Sequence, residues 1–249
     1  MSLTTLVMKE TLYGLVWVYA LNTKSVSKDP WVAGQIVDDM TTIGLSKERV
    51  IVKSDEEASI VELQQAIAKK RTQVETGVED SKVGDSNSNG KIKRAIRDVE
   101  GTVSFLRSAL SANTGMEIKL NMTIVPWLVR HAAYILTRCR VRSHGKTSLQ
   151  LIKGGVSMTE LVPFGETVLF KIPKTAEAVG SFEDGWESGV WLGYTIRDGM
   201  TLVGTQTGVY TVAMVTSSNT RDNRKSPATP SRHGHEANYN IREDEDGRC

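Results

Sequence analysis

The stretch from Ile92 to Leu110 constrains this chain more than any other. Ile92, Ile96, Val99, Val103, Leu106 and Leu110 recur at intervals of three or four residues. That period puts one apolar stripe on a helix of about 20 residues, which needs a broad apolar surface to lie against. A polar loop of Gly, Ser, Asn and Asp from Lys82 to Gly90 precedes it, and Asn87 or Asn89 suits the helix N-cap.

Upstream, Leu3 to Lys9 and Leu15 to Leu21 are β-rich runs joined by a short polar link with Gly14, the pattern of an antiparallel hairpin. Asp29 and Pro30 open a helix carrying Trp31, Val32, Ile36, Val37, Met40 and Ile43 at helical spacing, with Gly44 as its stop. A short buried-type strand, Arg49 to Lys53, ends in Ser54 and Asp55. Ile60, Leu63, Ala66 and Ile67 give the next helix its apolar face, and a strand follows at about residues 72–79. Beyond the long helix, another runs from Thr123 to Arg138 with Pro126 in its first turn, where a missing amide donor costs little. The order to this point is β-β-α-β-α-β-α-α.

From Leu161 the texture changes to short β-prone runs punctuated by Gly and Pro, at 167–172, 189–194, 202–206 and 210–215. After Thr216 the chain is rich in Ser, Pro and Asn with almost no apolar residues, so composition leads us to expect a disordered tail. The expected organisation is a mixed α/β core over 1–140, a basic linker over 141–160, a small β-barrel-like domain over 161–216 and the tail over 217–249.

Bulk properties exclude several classes. Hydrophobic residues at 39% and charged residues at 24% of 249 positions are ordinary globular values. The longest early apolar stretch, Leu15 to Leu21, is far short of the roughly 18 residues of a membrane span. No charged n-region and apolar h-region mark a secretory signal, so we expect an intracellular protein. Cys139 and Cys249 frame no disulfide scaffold, and the four histidines lack zinc spacing. A net charge of +2 does not by itself argue for a polyanion, but local clusters steer ligands whatever the total.

The stretch Val50-Ile-Val-Lys-Ser-Asp55, followed by Asp85-Ser-Asn-Ser-Asn-Gly90 leading into a long helix, resembles the catalytic core of retroelement integrases. Downstream, His131-Ala-Ala-Tyr-Ile-Leu-Thr-Arg138, Gly145-Lys-Thr147, Leu161-Val-Pro-Phe-Gly165 and Gly189-Val-Trp-Leu-Gly-Tyr194 resemble the copia-type retrotransposon polyprotein, with Ser148 where a proline stands in the family. The resemblance spans roughly Thr4 to Val215. It rests on the ordered series, since a Ser-Asp at a strand end also serves as an ordinary helix N-cap.

The resemblance implies a ribonuclease H-like fold whose five-stranded sheet has its first strand in the middle. It implies an in-line attack of water or a DNA 3′-hydroxyl on a phosphodiester, with two Mg2+ ions about 3.5 to 4 Å apart held by three carboxylates. Asp55 matches the second aspartate. The first belongs on a strand ahead of Leu3, which this sequence lacks. The glutamate, three residues after the glycine, is Lys93 here. An ammonium at that place repels the metals that a carboxylate would bind. Glu100 shares the helix face but lies roughly 10 Å further along it, and Glu10 lies on another strand. The expectation is a DNA-handling scaffold of nuclear or other intracellular location, able to form homo-oligomers, taking no small-molecule substrate, and with Mg2+ not productively bound. Without its first strand, we expect the sheet to close by direct pairing of Leu3–Lys9 with Arg49–Lys53.

Two basic stretches are the candidates for binding phosphate. Lys91, Lys93, Arg94 and Arg97 crowd the start of the long helix, where each opposes the macrodipole by a few tenths of a kcal/mol, roughly. The second stretch holds Arg138, Arg140, Arg142 and Lys146, and no acidic residue interrupts Arg130 to Lys153. A solvated helix face and a flexible basic linker are the plainer readings of these two stretches. Trp186, Trp191 and Tyr194 suit either base stacking or a small core, and His131 suits packing better than ligation. A host protein-interaction module without DNA binding and an active nuclease using other ligands are the alternative functions.

Overall fold

The computed structural model describes residues 3–23, 30–54, 57–80, 89–155, 159–171 and 185–217. Its element order is β1 (Thr4–Lys9), β2 (Val16–Leu21), α1 (Trp31–Thr42), β3 (Val50–Ser54), α2 (Ala58–Lys70), β4 (Thr76–Asp80), α3 (Gly90–Thr114), α4 (Val125–Cys139), α5 (Ser148–Lys153), β5 (Thr167–Lys171), β6 (Trp186–Tyr194), β7 (Thr201–Gly204), β8 (Val209–Val212) and β9 (Val215–Ser217). The mixed α/β class and the element sequence expected up to α4 are found. The tail expected to be disordered, Asp55 and most of the polar loop before α3 lie outside the described residues.

The expected closure between Leu3–Lys9 and Arg49–Lys53 does not occur among the described residues. There β1 pairs only with β2, antiparallel from Thr4 opposite Leu21 to Lys9 opposite Val16. Among the same residues β3 pairs only with β4, parallel from Val50 beside Thr76 to Ser54 beside Asp80. Connections explain the choice: the 10–15 turn sets the register of the hairpin, and the α2 crossover sets that of the parallel pair. No short connection aligns β1 with β3. The turn itself is built around Glu10, whose carboxylate accepts the amides of Leu12, Tyr13 (2.7 Å) and Gly14 (3.1 Å), so Glu10 is committed to the backbone.

Two apolar clusters organise the molecule. The first gathers α1, α2 and the hairpin: Val32, Ile36 and Met40 of α1, Leu63 and Ile67 of α2, and Trp17 and Tyr19 of β2, with Leu6, Met8, Val50 and Val52 packed against it. Buried Arg71 fastens this half, donating to the carbonyls of Leu45 (2.6 Å) and Glu48 (2.9 Å) and to Thr76 Oγ1 (2.7 Å).

The second cluster is continuous from Val16 and Val18 of β2, through Ala95, Val99 and Leu110 of α3 and Leu128, Val129 and Ala133 of α4, to Phe170, Trp191 and Val203 of the C-terminal sheet. α4 buries residues on several sides, including His131, Ala132 and Tyr134, as a helix enclosed by neighbours must. The C-terminal sheet, ordered β8-β7-β6-β5-β9 and wholly antiparallel, is open: among the described residues β8 and β9 are not joined into a barrel. It therefore shares a core with the helices in front of it. The stretch expected from sequence to be a linker also carries structure. Thr147 and Gln150 form a capping box at the start of α5, with Gln150 N donating to Thr147 Oγ1 (3.2 Å) and Thr147 N to Gln150 Oε1 (2.8 Å).

Candidate nucleic-acid interface

α3 begins after Asn89, and its first turns present Lys91, Lys93, Arg94 and Arg97, all exposed. Among the described residues none of these four makes an ion pair. Spacing divides them between two faces. Lys93 and Arg97 stand one turn apart, while Lys91 and Arg94 fall in line with Asp98 further along the helix. Asp98 pairs with Arg140, just past the end of α4.

Lys9, the last residue of β1, joins the same place. Burial lowers its pKa first, followed by the positive charges of Arg142, Arg140 and Arg94, while Asp98 acts in the opposite sense. Three arginines thus act on Lys9, and Asp98 pairs with one of them, Arg140. Such crowding of like charge disfavours the compact state and leaves a field that a polyanion relieves. The two basic stretches, separate in sequence, meet here with a member from β1 that sequence reasoning missed. No local pattern marks Lys9, because the charges that act on it lie some 85 to 133 positions away along the chain.

Arg142 has a second task. Its Nη1 donates to the Tyr13 carbonyl (2.5 Å) and approaches Ser148 Oγ (3.5 Å). The guanidinium lies so tightly on the hairpin turn that a Cβ on Gly14, whose φ is 71°, would fall 0.9 Å from Nη1. Only glycine fits there. A turn bounded by Arg142 N donating to Lys146 O (3.0 Å) and Gly145 N to Arg142 O (2.9 Å) holds the arginine in place. Lys146 itself is exposed.

Arg138 is half-buried, donates to Tyr134 Oη (3.3 Å) and to the Thr159 carbonyl, and thereby ties α4 to the segment entering the C-terminal sheet. Among the three arginines of the second basic stretch, Arg140 is the exposed one; Arg138 and Arg142 are engaged by backbone.

The metal-binding expectation meets a poor donor set. Asp55 lies outside the described residues, Lys93 is an exposed cation in the first turn of α3, and Asp98 is committed to Arg140. Among the described residues no three His, Cys, Asp or Glu side chains come together. These residues do not suit a pair of hard divalent cations.

The aromatic candidates divide. Trp191 is 0% exposed and Tyr194 is buried, whereas Trp186 is 39% exposed at the start of β6. His131 stacks on Phe164 at 5.3 Å and meets the edge of Trp191 at 5.1 Å. Burial lowers its pKa to about 4, so it is a neutral packing residue of the helix–sheet junction. Gly193, at φ 124°, makes room for it: a Cβ there would come 2.9 Å from His131 Nδ1.

No protein-family profile matches the sequence, and no curated protein matches it. The solved structures to which the chain is similar include three retroviral proteins. One comes from the intasome of simian T-cell lymphotropic virus in complex with the PP2A regulatory subunit B56 gamma, at 15% identity over 85% of this chain and 73% of that one, TM-score 0.43. Another is the catalytic core domain of BIV integrase, at 16% identity over 61% and 86%, TM-score 0.39. The third is the HTLV-2 integrase catalytic core domain in complex with magnesium, in a trimeric form, at 12% identity over 59% and 91%, TM-score 0.38.

Proposed function

We propose that this chain is a retrotransposon-derived, copia-type integrase relic that holds DNA by its phosphates and neither cuts nor joins it. The observation that carries the reading is the concentration of positive charge from Arg94, Arg140 and Arg142 on Lys9, offset by Asp98, which pairs with Arg140. Further support comes from the ordered motif series and from the strand pairing. A hairpin on one side and a parallel pair on the other are what the ribonuclease H-like sheet leaves when its central strand is taken out. Loss of chemistry follows from Lys93 at the position of the metal-binding glutamate. A nuclear location goes with this reading.

Fluorescence anisotropy of the full chain with labelled duplex DNA across a salt series tests it. The expected affinity falls steeply with salt, and the triple variant Lys9→Gln, Lys91→Gln, Arg94→Gln flattens the logarithmic slope by up to about 0.9 for each phosphate it no longer neutralises. These positions are better than Arg138 and Arg142, whose replacement also breaks hydrogen bonds within the fold. Absence of binding by a folded chain would sink the DNA reading and leave a protein-interaction module. Magnesium-dependent cleavage would overturn the inactive assignment.

A further inference from the structure

We propose that the elbow between α3 and α4 is a binding site for a nucleoside monophosphate, separate from the basic start of α3. Gly115, at φ 67°, stops α3 in the left-handed conformation. The chain then returns along the last turns of the helix. Ile118, 6% exposed, anchors this return segment in the second apolar cluster, and its amide donates to Ser111 Oγ (3.2 Å). Met122 N donates to the Lys119 carbonyl (3.1 Å), closing a turn before α4 begins. Between the return segment and the helix lies an open cleft of about 650 Å3. Its helical wall starts at Arg107, roughly 15 Å along α3 from Arg97.

The walls of the cleft carry charge that no neighbour neutralises. Arg107, half-buried on the helix, and Lys119, exposed on the return segment, line it together with Glu117. Among the described residues none of these three makes an ion pair, although both signs are present in one cleft. Ser108 and Ser111 stand on the helical wall. Thr102 and Thr114 of the same helix return their hydroxyl hydrogens to the Asp98 and Leu110 carbonyls, both at 2.8 Å. Among the described residues the two serines make no such bond, so their hydrogens are open to a ligand.

Size and charge narrow what that ligand is. The volume is that of a small-molecule cleft, and a bare phosphate fills only a minor part of it. A planar guanidinium and a compact ammonium suit one phosphate group, which also accepts from serine hydroxyls. Glu117 repels a second anionic group and accepts hydrogen bonds instead, such as those that sugar hydroxyls donate. Leu120, which lines the cleft and is 43% exposed, offers an apolar surface to a flat ring. Phosphate, sugar and base meet these three demands in one molecule. The chemistry is the same for a free nucleotide and for the 5′-phosphorylated end of a strand.

Amide proton–nitrogen correlation spectra of the full chain, titrated with adenosine 5′-monophosphate, test the proposal. Saturable shifts are expected across residues 107–121. Adenosine and inorganic phosphate should each bind about tenfold more weakly, and the double variant Arg107→Gln, Lys119→Gln should lose about tenfold in affinity for the nucleotide. The triple variant Lys9→Gln, Lys91→Gln, Arg94→Gln should leave that affinity unchanged, so this site and the DNA reading fail separately. Oligothymidylate with a 5′-phosphate, set against the same strand with a 5′-hydroxyl, separates the two sources. A preference for the phosphorylated strand that the double variant abolishes assigns the strand end; its absence, where adenosine monophosphate binds, assigns the free nucleotide. No saturable shift, shifts centred on Lys91 to Arg97, equal affinity for inorganic phosphate, or unchanged affinity in a folded double variant would overturn the proposal.

Discussion

In the C-terminal sheet β5, β6 and β7 are each paired along both edges, and Trp191 and Val203 at its centre are 0% exposed. In the N-terminal half no described strand is paired on both edges, and Ile51 stands in solvent. Both regions have β-branched and aromatic residues in plenty. The difference lies in connectivity. Antiparallel neighbours linked by short turns, as along β6-β7-β8, find each other locally, whereas the hairpin and the parallel pair are separated in sequence by α1 and have nothing to set a common register. Helices compensate in the N-terminal half: α1 and α2 close one cluster, and α3 and α4 carry the other across to the C-terminal sheet.

The contrast is open to attack in order of expected effect. Trp191→Ala should cost about 3–5 kcal/mol in urea unfolding, through the cavity it leaves in the shared cluster. Because α4 lies in that cluster with β2, exchange protection in the hairpin should fall as well. Unchanged protection at residues 16–21 would show that the two regions unfold independently.

Next in size is the effect of acid. His131 has its folded-state pKa at about 4, below its ordinary value of 6.5, because burial favours the neutral ring. The unfolded chain therefore binds the proton first: the contribution is complete above pH 6.5 and is lost as pH falls toward 4, about 3 kcal/mol in all. Denaturation midpoints across that window should lose this slope in His131→Phe. A slope that persists would place the titrating group elsewhere.

Smaller again, Arg142→Ala removes the hydrogen bond to the Tyr13 carbonyl and should destabilise by about 1–3 kcal/mol, with faster amide exchange at residues 10–15. At the bottom of the scale, Arg49→Ala breaks an ion pair to Glu75 whose side chains are 71% and 69% exposed, and should move the midpoint hardly at all. A larger effect would mean that the parallel pair depends on its surface charges more than its packing indicates.

Local periodicity makes much of this fold legible. The stripe from Ile92 to Leu110 marks α3, the run from Trp31 to Ile43 with Gly44 behind it marks α1, and the polar link with Gly14 marks the hairpin. What escapes is non-local. Nothing in the composition of β1 tells whether it lies beside β3, since a strand's pattern reports its faces and not its edges. The capping box of Thr147 and Gln150 is present in the sequence, but the basic residues around it favour a linker. The candidate site is half legible: Lys91, Arg94, Arg97 and Arg140 stand out in the sequence and are exposed in the fold, while Arg138 and Arg142 turn inward to satisfy carbonyls. Lys9 is invisible in the sequence because charge crowding exists only after folding.

The passage of one apolar cluster through α4 also bears on heredity. A recombination event that cut the gene near residue 160 would separate Leu128 and Val129 from Trp191 and Val203, and each product would inherit a raw face that its new neighbours were never selected to cover. The two regions can therefore diverge only in step, and descendants of this chain should retain or lose them together.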